Sequence, residues 1–133
     1  MRARTRGTDN STLVLLMLVY GAASLVHFVH NGIYLHEYPN LPAWLTSTGV
    51  YASWSAITAV GALGYWLYRR LSRVMGLVTI AIYAGLGFGG LDHYVVAPIG
   101  AHSIVMNLTI LSEVVAAAAL LIFVVSHALL TRQ

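Results

Sequence analysis

The sequence predicts an all-α integral membrane protein: an antiparallel four-transmembrane-helix bundle with both termini cytoplasmic. Three observations carry this. Of 133 residues, 59% are hydrophobic and only 8% are charged, whereas roughly a quarter of the residues of soluble domains carry charge. The apolar residues form four runs, each able to build a helix of the roughly 20 residues that a bilayer requires. The basic residues gather at Arg2, Arg4 and Arg6, at Arg69, Arg70 and Arg73, and at Arg132. Four spans bring all three groups to one side, which the positive-inside rule assigns to the cytoplasm.

The net charge of +3 therefore reads as topology, and no nucleic-acid partner is expected. The expected setting is the lipid bilayer of a bacterial inner (plasma) membrane. One compact unit, residues 1–133, is expected. The chain has no cysteine, which excludes thiol chemistry, iron–sulfur ligation and Cys-zinc sites.

The first helix is expected over about 12–35, after a polar arm MRARTRGTDNST. Its start resembles a secretory signal, with basic residues, an apolar run and small residues. The apolar pattern continues to Tyr34 and makes a full span, so it reads as uncleaved. Tyr20, Ser24, His27, His30, Asn31 and Tyr34 fall on one side by the helical period. His27 and His30 lie about 60° apart and Asn31 about 40° from His27, so two imidazoles and a carboxamide share one wall.

The connection from His36 to Trp44 holds Pro39 and Pro42; proline fixes φ and lacks an N–H, so this is a kinked interfacial loop. Tyr38 and Trp44 suit the headgroup level there. The second helix, about 45–68, carries Tyr51, Trp54, Thr58, Gly61 and Tyr65 on one stripe. The short basic turn Arg69-Arg-Leu-Ser-Arg73 predicts an antiparallel hairpin into the third helix, about 74–94. In that helix Ala81, Gly85 and Gly89 form a small-residue series for close packing. Continuing the same period, Asp92 falls about 20° from Gly85 and is expected to point into the bundle. After Pro98 the fourth helix, about 99–130, has His102, Met106, Thr109, Glu113, Ala116 and Leu120 on its stripe.

Counting depth along the helices from their outer ends places His30, Asp92, His93 and His102 in one layer within roughly 6 Å of those ends. His27 and Met106 share a level about 11 Å in, and Tyr20 and Glu113 one at about 21 Å. A carboxylate that deep costs on the order of 3 kcal/mol, so Glu113 is expected to be neutral, bonded or paired, with Tyr20 as its partner.

The cluster His27, His30, Asp92, His93 and His102 is the candidate metal site. Imidazole suits copper, zinc and iron; the nearby Met106 thioether leans to copper, the missing thiolate to zinc or iron. Glu113 and Tyr20 would be a proton-transfer pair. The protein would then be a redox enzyme acting on a lipid-soluble substrate or a metal-handling accessory, with Tyr51, Trp54 and Tyr65 as the wall for such a molecule.

Other readings stand beside this one. The cluster can be a polar network that fixes helix register. Haem b can be held by one histidine from the first helix and another from the third or fourth, with Gly85, Gly87, Gly89 and Gly90 making room. The column His30, His27, Tyr20 and Glu113 can pass protons. A non-catalytic subunit, in a homo-oligomer or larger membrane complex, would pack through the glycine face of the third helix. No phosphate-cradling loop, GxSxG elbow or HExxH box is present. Asn10-Ser-Thr12 and Asn107-Leu-Thr109 match the glycosylation pattern at positions where it has no meaning.

Overall fold

A computed structural model describes residues 2–130, with side chains described over 10–129. It is helical throughout, with no strand among the described residues. Three segments, Asn10–Ile33, Arg73–Val96 and Ile104–Leu129, are long and apolar enough to cross a membrane. On that ground we read the chain as a membrane protein.

Helix α1 (Arg2–Ile33) begins earlier than expected, running back through most of the polar N-terminal stretch. The side chains of Arg2, Arg4 and Arg6, together with Arg132, lie outside the described residues. Helix α2 (Ser47–Arg70) starts where the Thr46 hydroxyl accepts the Gly49 N–H at 3.1 Å, an N-cap that satisfies one orphan donor. Its length is about 36 Å, yet it is not among the segments apolar enough to qualify as a span. Trp54, Tyr51 and a series of Ser and Thr dilute it.

The tight turn after α2 forms as expected. The N–H groups of Leu71 and Ser72 both donate to the Leu67 carbonyl, and Ser72 then caps α3 (Arg73–Leu86) by accepting from Met75 N–H. Helices α2 and α3 pack almost backbone to backbone. A Cβ on Gly64 would stand 2.8 Å from Ile80 Cγ1, and one on Gly76 would run into the backbone of Tyr68.

The expected third helix does not continue straight. It tightens into a 3-10 stretch, Gly87–Leu91, before resuming as α4 (Asp92–Val96). A 3-10 helix turns 120° per residue against 100° for an α-helix, so five residues advance the chain by about 100° beyond the α-helical phase. Asp92, expected inside, is exposed because α3 buries the side that carries Leu77, Ile80 and Ala84 and not the side of Gly85; the added rotation stacks Gly87, Gly90 and His93 on that buried side.

The glycines divide between the two faces in the same way. Gly85 and Gly89 are exposed, with nothing near the site of a Cβ. Gly87 is the close-packed one: its Cβ would fall 2.6 Å from Ala117 Cβ and 2.7 Å from the Tyr20 ring.

Helix α5 (Ile104–Leu130) starts later than expected, because Pro98 leads into a 3-10 turn, Ile99–Ala101. His102 is therefore on the connecting loop and not on the helix. Helices α1 and α3 each touch both α2 and α5. The lower core joins Leu13, Tyr20, Ile80, Tyr83, Leu120 and Val124. Leu18, Val26, Val78, Val115 and Ile122 face outward, as lipid-facing side chains do.

Candidate functional site

The polar residues meet at the end of the molecule where the two long loops close over α1 and α5. Between α1 and α2, a 3-10 turn Leu35–Glu37 is followed by Asn40 at φ 57°, a left-handed conformation that Asn tolerates better than most residues. Asn40 Nδ2 donates to the Val96 carbonyl at 3.0 Å, and Ser47 Oγ to the Gly32 carbonyl at 2.7 Å. Held at both sides, the loop turns Tyr38 inward, where it is 4% exposed. The expectation that Tyr38 lies at the headgroup level is thus corrected.

Tyr38 is the centre of the cluster. Its ring lies 4.9 Å from that of His93, 5.8 Å from His30 and 6.4 Å from His102. His30 Nδ1 and the Tyr38 hydroxyl are 2.9 Å apart, and Thr109 is a further hydrogen-bonding neighbour of that hydroxyl. Burial pushes the Tyr38 phenol above its usual range.

Hydrogen bonds fix the state of two imidazoles. Thr109 Oγ1 donates to the Met106 carbonyl at 2.9 Å, so its lone pairs face His27 Nδ1, 3.5 Å away. His27 therefore carries its proton on Nδ1 when neutral, and its Nε2 is a bare acceptor. His102 Nδ1–H donates to the Pro98 carbonyl at 3.1 Å, which leaves His102 Nε2 bare as well. That atom is buried and has no partner.

His93 lies between these two, its ring centre 5.4 Å from that of His27 and 6.1 Å from that of His102. Asn31 Nδ2 donates to His93 Nε2 at 3.3 Å. Asn31 Oδ1 and His93 Nδ1 are both buried without partners. The loop below is tied by Asn107, which accepts from Tyr94 and donates to the carbonyls of Ile99 and His102.

Deeper in, Glu113 is 1% exposed and its Oε2 lies 3.7 Å from His27 Nε2. Ser24 flanks the same carboxyl. The expected Tyr20–Glu113 bond is not formed: Tyr20 donates to the Tyr83 carbonyl at 3.3 Å, with the two phenol rings 4.5 Å apart. The carboxyl's close partner is His27, a turn nearer the loops.

Of the five expected ligands, His27, His30, His93 and His102 come together and Asp92 does not. No three His, Asp or Glu side chains among the described residues are placed to hold a metal ion jointly. His30 is engaged by Tyr38 and His27 by Thr109 and Glu113. Tyr38 and Thr109 are the residues that the sequence left out of the site, and the Tyr-Pro-Asn sequence at 38–40 was the available signal for a tight inward turn. No known protein family, curated protein or solved structure matches the chain.

Proposed function

We propose that the chain is a membrane-embedded transition-metal-binding protein whose ion is held between His93 and His102. The observation that carries the proposal is the pair of buried, unpartnered ring nitrogens, His93 Nδ1 and His102 Nε2, on rings 6.1 Å apart. A buried polar atom without a partner costs about 1–3 kcal/mol, which calls for an occupant. Two imidazoles bound to one ion at the usual 2.0–2.1 Å have ring centres roughly 4.5–6.5 Å apart.

His102 is already in the tautomer a ligand requires, because the Pro98 carbonyl holds its other nitrogen as N–H. A backbone carbonyl is a common outer partner of metal-bound histidine. His93 reaches the same state if the Asn31 amide is turned over. Oδ1 then accepts from Nε2–H, and Nδ1 is left bare. Asn31 Oδ1 gains a partner in that step, and His93 Nδ1 is free to face an ion. The Tyr38 phenol and water would complete the coordination, a donor set suited to copper, zinc or iron.

In this reading the chain spans the bilayer four times, α2 included, with both termini at the cytoplasmic face of a bacterial inner membrane. Arg69, Arg70 and Arg73 at the α2–α3 turn support that orientation. The metal site then opens to the outer face.

Elemental analysis of purified protein tests the site. Copper, zinc or iron at one equivalent is expected, falling to background in His93→Ala and in His102→Ala and unchanged in Asp92→Asn. Metal-free protein after supplementation with all three, or metal retained in both histidine variants, refutes the reading; a Soret band in the absorption spectrum would mean haem instead.

A second reading has its own observation. Glu113, His27, Thr109, Tyr38 and His30 form a connected series from a fully buried carboxyl to the outer loop, the arrangement of a proton path. Proton flux in vesicles that His27→Phe abolishes, from protein free of metal, would favour it.

A further inference from the structure

At the opposite end of the molecule, a groove of about 420 Å³ runs between α3 and α5. Arg73 stands at its mouth, and Leu77, Val78, Ala81, Val124 and Leu129 line it. From Arg73 to Ala81 the helix rises about 12 Å, the length of the upper half of an acyl chain. The walls are apolar and the mouth is cationic.

Arg73 is held in place there. Its guanidinium donates to His127 Nε2, lies 5.7 Å from the centre of the Tyr68 ring, and keeps a buried Nε–H with no acceptor. His127 is in turn stacked on Phe123. Arg69 and Arg73 border a second depression beside the groove, with Tyr68 and Asn10. Among the described residues no carboxylate pairs with Arg69, Arg70 or Arg73.

We propose that this groove binds an anionic phospholipid, its phosphate on the Arg73 guanidinium and one acyl chain laid along Leu77, Val78 and Ala81. The Arg73 Nε–H lacks an anionic acceptor, and a phosphodiester supplies one with the planar geometry a guanidinium prefers. The apolar walls below the cation match the order of parts in a lipid: charge first, hydrocarbon beneath. An anionic protein partner would lack the chain, and a zwitterionic lipid places its own cation beside the arginine.

The test is native mass spectrometry of the full chain in detergent, titrated with phosphatidylglycerol and with phosphatidylcholine of identical chains. Retention of phosphatidylglycerol should exceed that of phosphatidylcholine by about fivefold, the effect of one well-placed basic residue. Arg73→Gln should abolish the preference. Arg70→Gln, which removes the same charge from outside the groove, should keep it. Ala81→Phe fills the groove and leaves the arginine, and should lower retention of phosphatidylglycerol to the phosphatidylcholine level.

Circular dichroism confirms that each variant is folded. Equal retention of the two lipids by the wild-type protein overturns the proposal, as does a preference that survives Arg73→Gln. A preference lost equally in Arg70→Gln, or kept in Ala81→Phe, also overturns it, since either result reduces the effect to general surface charge.

Discussion

The Nε2 atom of His27 faces the Oε2 atom of Glu113 at 3.7 Å, both side chains almost wholly buried, and this pair ties α1 to α5 inside the protein. With the His27 proton on Nδ1, toward Thr109, the bare Nε2 meets the carboxyl directly. At this separation the two atoms are in polar contact without a hydrogen bond, and Glu113 Oε2 has no hydrogen-bond partner.

Removing one member strands the other. Glu113→Ala should lower stability by about 1–3 kcal/mol, the cost of a buried polar group left unsatisfied. Glu113→Gln keeps a donor facing His27 and should cost less. In a double-mutant cycle with His27→Ala, the coupling energy should be about 0.5–3 kcal/mol. Urea or thermal unfolding in detergent measures all of these; additive effects would mean that the two groups do not interact.

Two glycines of the 3-10 stretch should respond in opposite ways. Gly87→Ala forces a methyl group against Ala117 and the Tyr20 ring, and overpacking of this kind costs about 1–3 kcal/mol. Gly89→Ala meets open space and should be neutral or slightly stabilising, since alanine loses less backbone entropy on folding. Melting temperatures of the two variants check this.

Tyr38 should make the metal-free protein sensitive to alkali. Its phenol is raised by burial, so above the ordinary tyrosine value of about 10 the unfolded chain releases a proton that the folded one keeps. The unfolded state then binds fewer protons, and the slope of stability with pH is negative. The contribution is complete below pH ~10 and is lost as pH rises through the folded value. Tyr38→Phe should remove that part of the alkaline loss, read as a shallower fall of melting temperature between about pH 9 and 12.

Topology can be mapped directly, because the chain has no cysteine. Single cysteines at Ser72 and at Thr46 should label from opposite sides of sealed vesicles, Ser72 from the cytoplasmic face. Labelling of both from one side would exclude α2 as a span.

Much of this protein is local and so was legible in its sequence. The membrane class follows from composition, the α2–α3 hairpin from a short basic turn, and the inward faces of α1 and α5 from the 3.6-residue period. His27, Asn31 and Glu113 were placed inside by that period, and they are inside.

What the tertiary structure decided depends on breaks in the period. Five residues of 3-10 helix between Gly87 and Leu91 bring His93 onto the buried side, and an accumulated rotation of about 100° is invisible to a pattern that assumes constant twist; Asp92 is out because α3 buries its Ile80 and Ala84 side and leaves Gly85 exposed. The loop that carries Tyr38 into the cluster is fixed by contacts from Asn40 and Ser47 to segments distant in sequence or across the turn. Tyr20 finds the Tyr83 carbonyl and Glu113 finds His27 because helix packing sets relative height and rotation. Period and depth count along single helices fix only which face looks inward, not which group it meets.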